Sequence, residues 1–409
     1  MRRTATIAAA LAMAWLDLGS APAWAQATPA PAPAPAPAAA GAPAPAEAAA
    51  PASPVSMPPM SGTLSANVKP MKIDAGPLGG LYVTGALTGI ALWQSNTLPA
   101  DEDARVDVTN GQVVVQKVDG PIQFLLEGGA YSFPTVGSAY TRAGTTTSET
   151  FGGLPVWFLK YAPNDAMSVQ AGNLPTLIGA EYGFTFQNVN VQRGLIWNQE
   201  NIINRGVQGN YTAGPLALSV AWSDGYFSNR YSWITGLATY TIDPADSIAF
   251  SAGGSVNTET VSSFVTPLLQ NNSTIYNLVY TRTQGPWTFI PTLQYTNVPS
   301  DTKLGTTHSL HTFGAGFYGI YTMDGGYSVA GRAEYISSSG HAGDPSLLFG
   351  PGSNAWSLTV TPTWQNKFFF ARVEASYVKA TSTTPGFVFG SSGTSTTQAR
   401  LLLETGVLF

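Results

Sequence analysis

The chain closes on QARLLLETGVLF, residues 398–409. Ala399, Leu401, Leu403, Thr405, Val407 and Phe409 form one alternating set. Gln398, Arg400, Leu402, Glu404, Gly406 and Leu408 form the other. A strand turns successive side chains to opposite faces, so one face here is apolar or neutral and the other carries both charges. Against a protein core, the charged face would look outward to water. Against lipid, it would look into the water-filled lumen of a barrel. The rest of the chain selects lipid.

Upstream of this stretch, from about Leu78, alternating runs are separated by two kinds of break. The short ones are Asp119-Gly120-Pro121, Pro163-Asn164-Asp165, Ala213-Gly214-Pro215, Asp243-Pro244-Ala245-Asp246, Gln284-Gly285-Pro286, Met323-Asp324-Gly325-Gly326 and Gln365-Asn366. Gly, Pro, Asn and Asp supply the dihedrals that tight turns need. The long breaks, rich in Ser, Thr, Gly and Asn, fall near 93–108, 133–152, 174–203, 225–230, 257–272, 298–308, 339–353 and 381–396. Alternating the two kinds gives about sixteen strands, with both chain ends on the tight-turn side. This predicts an all-β fold, a transmembrane antiparallel up-and-down β-barrel. Leu216, Leu218, Val220 and Trp222 share one predicted outer face. Trp287, Phe289, Leu293 and Tyr295 share another, and Trp356, Leu358, Val360 and Trp364 a third. Aromatics end many of these sets, as in an interfacial girdle. A β-sandwich or β-helix would give the same alternation, but with more Lys and Glu outside and shorter strands.

Composition agrees. Only 10% of the residues are charged and the net charge is −5, against roughly 25% charged in soluble domains. That excludes a basic nucleic-acid footprint. There is no cysteine, so neither a disulfide framework nor a thiolate zinc site is available. Residues 1–25 read as a cleaved signal peptide. Arg2 and Arg3 precede the apolar stretch Ile7–Leu16, and Ala23-Trp24-Ala25 offers a small-x-small cleavage site before Gln26. Residues 26–77, Pro/Ala-rich as far as about Pro59, are expected to be a disordered periplasmic leader. Residues 78–409 are expected to be the barrel domain.

Opposite charges recur on the inward parity of three late strands: Arg332 with Glu334, Arg372 with Glu374, and Arg400 with Glu404. Glu127 and Lys160 have the same parity on early strands. An arginine on the lipid face at mid-bilayer would cost about 2–4 kcal/mol, so these side chains are expected to point into the lumen. They would line the pore and tune selectivity, or pair across strands and brace it. The longest break contains Glu181, Arg193 and Glu200 among Phe184, Phe186, Ile196 and Trp197. It is too apolar to stand free in water. The expectation is a constriction loop folded inward, with a loop packed on its neighbours as the alternative.

MSVQAGNLPTLIGAEYGFTFQN (167–188), NRGVQGNYTAGPLALSVAWSDGYFSN (204–229) and FFFARVEASYVKA (368–380) resemble the beta-barrel porin-2 group of outer-membrane proteins. The resemblance implies a diffusion channel for small hydrophilic solutes in the bacterial outer membrane, lying in outer-membrane lipid and lipopolysaccharide. General porins line their constriction with acids of the third loop facing a basic wall, which would give the acidic part to Glu181 and Glu200. No dense arginine cluster stands on the early strands. Phe409, with its alternating approach, resembles the signal read by the barrel-assembly machinery. General porins of this size are often trimers, so a homotrimer is the implied assembly.

Enzyme signatures are weak. The histidines are His308, His311 and His341. His308 and His311, three apart on a strand, face opposite sides and cannot share a metal. His341 beside Asp344 imitates a hydrolase pair, but a loop histidine near an acid is usually incidental. No cofactor, metal or catalytic residue is expected. The rival readings are a plugged barrel serving as anchor or adhesin, and, behind it, an outer-membrane hydrolase.

Overall fold

The computed structural model describes Met60 and residues 62–409 except positions 68 and 100. The stretch read as a signal peptide, and the leader as far as residue 59, lie outside the described residues. In chain order the first strands are β1 (Met71–Asp74), β2 (Gly80–Gln94), β3 (Ala104–Lys117), β4 (Ile122–Tyr131), β5 (Val156–Tyr161) and β6 (Met167–Pro175). Next come β7 (Ile203–Ala213), β8 (Leu216–Ser223), β9 (Trp233–Asp243), β10 (Asp246–Ser255), β11 (Thr274–Gln284) and β12 (Trp287–Val298). The last are β13 (Leu310–Thr322), β14 (Tyr327–Ser338), β15 (Asn354–Asn366), β16 (Phe369–Thr381) and β17 (Thr397–Leu408).

From β2 onward each strand pairs antiparallel with the next, and β17 returns to β2 with Leu402 opposite Leu92 and Leu408 opposite Ala86. All seventeen strands but β1 form this closed wall, sixteen in number. Closure matters because a free sheet edge in hydrocarbon would leave its backbone donors and acceptors unpaired. Six of the seven tight turns fall on the Gly, Pro, Asn and Asp breaks; the seventh is Lys367-Phe368, just after the expected Gln365-Asn366, which close β15. The eight long connections lie at the other end: L1 (95–103), L2 (132–155), L3 (176–202), L4 (224–232), L5 (256–273), L6 (299–309), L7 (339–353) and L8 (382–396).

Facing follows sequence parity. On β15, Ala355, Ser357, Thr359, Thr361 and Thr363 are buried inside, while Trp356, Leu358, Val360 and Pro362 are exposed on the outer face. Outer aromatics gather at both ends of the wall. Trp287 meets Tyr321 at the turn end (ring centroids 4.5 Å apart) and Trp356 meets Tyr377 at the loop end (5.5 Å). From Trp287 to Tyr295 the strand runs ~27 Å at ~3.4 Å per residue, the reach of an apolar membrane band.

One boundary differs from expectation. The leader was expected to remain disordered to residue 77, yet order begins before residue 64. Leu64 is 3% exposed and packs among inward residues of the barrel, and β1 pairs with the start of β2, Met71 opposite Val83. The Pro/Ala composition stops near residue 59, and the apolar and hydrogen-bonding groups after it find partners inside the mouth.

Candidate functional site

L3 folds into the lumen. Val189, Val191, Leu195, Ile196 and Trp197 are buried there together with Glu181, Arg193 and Glu200. Apart from two short 3-10 turns, Thr185–Gln187 and Ile196–Gln199, this buried loop leaves its backbone donors and acceptors unmatched by regular structure, and each must find a partner. The late-strand charges supply them. Glu374 accepts from Val191 N (2.5 Å), Gln192 N (3.0 Å) and Gln192 Nε2 (2.9 Å). Glu334 accepts from Leu195 N (3.0 Å) and Ile196 N (3.2 Å). Arg372 donates to the carbonyls of Asn188 (3.1 Å) and Thr185 (2.9 Å). Arg332 donates to Gln192 O and to Glu181 Oε1, both at 2.7 Å. Arg400 reaches Gln192 Oε1 (3.0 Å) and also holds L2 through Thr135 O (2.7 Å).

The eight charges named from parity all point inward. Glu127, Arg332, Glu334, Arg372, Glu374, Arg400 and Glu404 are 0 to 4% exposed; Lys160 is half-buried. On β14–β17 the arrangement is the bracing alternative rather than an open pore lining. L3 covers the charges there, and their carboxylates and guanidinium groups are spent as hydrogen-bond partners. Arg372 also pairs with Glu404, directly opposite it across strands. The basic wall missing from the early strands stands here instead, as Arg332, Arg372 and Arg400, and Glu181 faces it. Glu200 does not join this wall; its carboxyl lies over Gly179, where a Cβ would sit 1.9 Å from Oε2. Arg193 is enclosed between the rings of Phe133 (5.2 Å) and Trp197 (4.9 Å).

Sequence reasoning missed a bulge on β3. Pairing with β2 shifts register at Thr88/Gly89, so Thr109 and Asn110 both turn inward. A bulge commonly re-aims side chains in this way. Thr109 Oγ1 then donates to Glu404 Oε1 (3.1 Å), and Asn110 Nδ2 to Thr185 Oγ1 (2.6 Å) in L3. The Thr-Asn-Gly run at 109–111 was the available signal, since it breaks the alternation of β3. The pair His341 and Asp344 meets through the backbone, His341 N donating to Asp344 Oδ2 (2.8 Å) in exposed L7. Phe409 zips the seam: Phe409 N donates to Gly85 O (3.0 Å) and Gly85 N to Phe409 O (2.8 Å).

The opposite wall is different. On β3–β10, Gln112 Oε1, Glu127 Oε2, both amide atoms of Gln170, Thr239 Oγ1 and Ser247 Oγ have no protein partner among the described residues. Elsewhere in the wall such atoms are Thr84 Oγ1 on β2, Thr296 Oγ1 on β12, Gln398 Oε1 on β17 and Arg332 Nε on β14, which lies 3.2 Å from Glu334 Oε2; within L3, Asn190 Oδ1, the Arg193 guanidinium nitrogens and Glu200 Oε2 are also unmatched.

A closed wall with an apolar outer band, two aromatic girdles and a third loop folded into its lumen defines a channel of the outer-membrane porin class. Residues 80–409 match the family described as Putative beta-barrel porin-2, OmpL-like, and the chain belongs to that family of porins of the bacterial outer membrane. No curated protein matches it in sequence. Among solved structures it is similar to outer-membrane expressed OmpT of Vibrio cholerae (TM-score 0.55, 11% identity, covering 83% of this chain and 100% of that one). The outer membrane channel DcaP of Acinetobacter baumannii is also similar (0.54, 12%, 80% and 97%). So is Salmonella typhi OmpF, solved in complex with daunomycin (0.51, 13%, 83% and 100%). At these identities the likeness concerns the fold.

Proposed function

We propose that small hydrophilic solutes and ions diffuse through the lumen along β3–β10, past Gln112, Glu127, Lys160, Gln170 and Gln208, with L3 as the opposite bank. The observation that carries this reading is that, among the described strands, most of the unmatched buried polar atoms lie on β3–β10. Buried polar groups are nearly always satisfied, so groups without protein partners call for water as the partner. The clamped wall, β14–β17, leaves only Arg332 Nε and Gln398 Oε1 unmatched among the described residues. No covalent step is involved. On this reading Glu181, Arg193 and Glu200 shape the constriction from within L3, and the late-strand charges hold that loop in place.

The native absence of cysteine makes the test direct. Gln170→Cys in planar bilayers should lose conductance when a charged thiol reagent is added, and Thr359→Cys under L3 should not. The reverse pattern, or silence at both positions, overturns the route. The reading also includes export with cleavage before Gln26, contact with lipopolysaccharide, recognition of Phe409 during assembly and a homotrimer. A Vibrio cholerae OmpT structure described as a trimer form supports the last. N-terminal sequencing of the mature protein and its mass in mild detergent test the first and last of these.

A further inference from the structure

We infer that the channel has a second constriction at the turn end, built by residues 62–66 of the segment that precedes the wall. Leu64 sits in one apolar cluster with Ala86 of β2, Leu125 of β4, Phe370 of β16 and Leu408 of β17, all on inner faces. Ser65 N donates to Gln365 Oε1 (2.7 Å), and Gln365 Nε2 donates back to Ser65 O (2.8 Å). Thr63 Oγ1 lies 3.2 Å from Thr363 Oγ1 on the inner face of β15. A Cβ on Gly62 would stand 2.1 Å from Asn188 O. The segment therefore reaches L3, touching the carbonyl that Arg372 also holds. A few residues later the chain has left the lumen and runs as exposed β1 beside β2.

These contacts put two layers on the same side of the lumen, L3 above and residues 62–66 beneath it. L3 also reaches β9 and β10, where Leu237 and Ala249 pack with Val189 and Trp233 with Ile178, while inward Lys160, Ser168 and Asn210 on β5–β7 are only half-buried. Leu64 is the deepest side chain of the lower layer, and it narrows the mouth for solutes that have already passed L3. The size limit of the channel is then set jointly by L3 and by a segment outside the barrel wall.

The inference rests on the β3–β10 route, and its test separates the two. In the full-length chain, Thr63→Cys with Thr363→Cys should form a disulfide in outer-membrane fractions, seen as a gel shift reversed by reductant. Failure to cross-link overturns the placement whatever route solutes take. Leu64→Asp should raise single-channel conductance and admit larger sugars in liposome swelling. In the oxidised double-cysteine background both changes should shrink, because the segment is tied down. Should Leu64→Asp not fold, as judged by heat-modifiable migration, Gly62→Val also prevents the segment from seating and serves in its place. A folded variant with unchanged conductance and unchanged size limit overturns the constriction. A normal cross-link with an unreactive Gln170→Cys would instead fault the route.

Discussion

Residues in the clamp are bought into the interior by multiplicity of bonding. A guanidinium presents five donors in a fixed fork and a carboxylate accepts several bonds, so few side chains satisfy many loop backbone groups. Arg372 contacts Glu404 and two L3 carbonyls at once. Arg372→Ala leaves Glu404 buried without its cation and two carbonyls unmatched. We expect a loss of about 3–5 kcal/mol, measured as a lower urea midpoint for refolding into lipid vesicles. Arg372→Lys should recover only part of it, because an ammonium cannot reproduce the fork. Full recovery by lysine would show that charge alone matters. At this scale the sequence made facing legible: the parity of Arg332, Arg372 and Arg400 put them in the lumen. It could not say what covers them. That depends on where a loop from distant strands comes to rest, and no local period encodes it. The β3 bulge escaped for a related reason, since its purpose appears only once Glu404 and Thr185 stand opposite.

Elements repeat the same division. Though the first loop was read through residue 108 and ends at residue 103, most turns and loops were legible to within a few residues, because Gly, Pro, Asn and Asp act on the local backbone. The end of the leader was not, because low-complexity composition says nothing of Leu64 beyond it. L3 itself was marked by length and apolar content, yet its seating depends on Gly194. A Cβ there would meet Glu334 Oε1 at 2.0 Å. Gly194→Val should lift this part of L3 from Glu334, raising conductance in bilayers while the barrel remains heat-modifiable; an unchanged conductance would place the bottleneck elsewhere. L3 also carries a pH dependence. Burial first, then the neighbouring carboxylates Glu181 and Glu334, hold Glu200 well above its ordinary range, with Tyr226 and Tyr318 also in its field. A seated loop therefore keeps a proton that a free loop gives up near pH ~4.3. The contribution of Glu200 to seating is complete below that value and is lost as pH rises toward its elevated pKa. Limited proteolysis of L3 should quicken from about pH 5 to about pH 8, and Glu200→Gln should flatten the slope. An equal slope in both proteins would assign the effect to another group.

For the whole molecule, the governing fact is that the barrel is turned inside out relative to a soluble protein. Leu293, Val220, Leu358, Val360, Leu401 and Leu403 are exposed outside, while Arg and Glu are buried within. In water this arrangement would be costly on both faces. In a bilayer the outer band meets acyl chains, and the polar interior is hydrated or bonded to L3. Strand β15 offers the means to measure it, since its outer residues climb from Trp356 at the loop-end girdle through Leu358 to Val360 midway along the strand. Val360→Arg should cost about 2–4 kcal/mol of folding stability in lipid vesicles, and Trp356→Arg only about 0–1 kcal/mol from its charge, because the penalty falls toward the interface. The loss of the Trp356 ring against Tyr377 adds a separate packing cost, so Trp356→Ala is the reference for that position and Val360→Ala for the other. The difference between Arg and Ala at each site then isolates the charge. A lipid-embedded band requires that difference to be larger at Val360 than at Trp356. Equal differences would mean that the outer face of β15 contacts protein or water along its whole length, and both the membrane placement and the outward exposure of these side chains would have to be given up together.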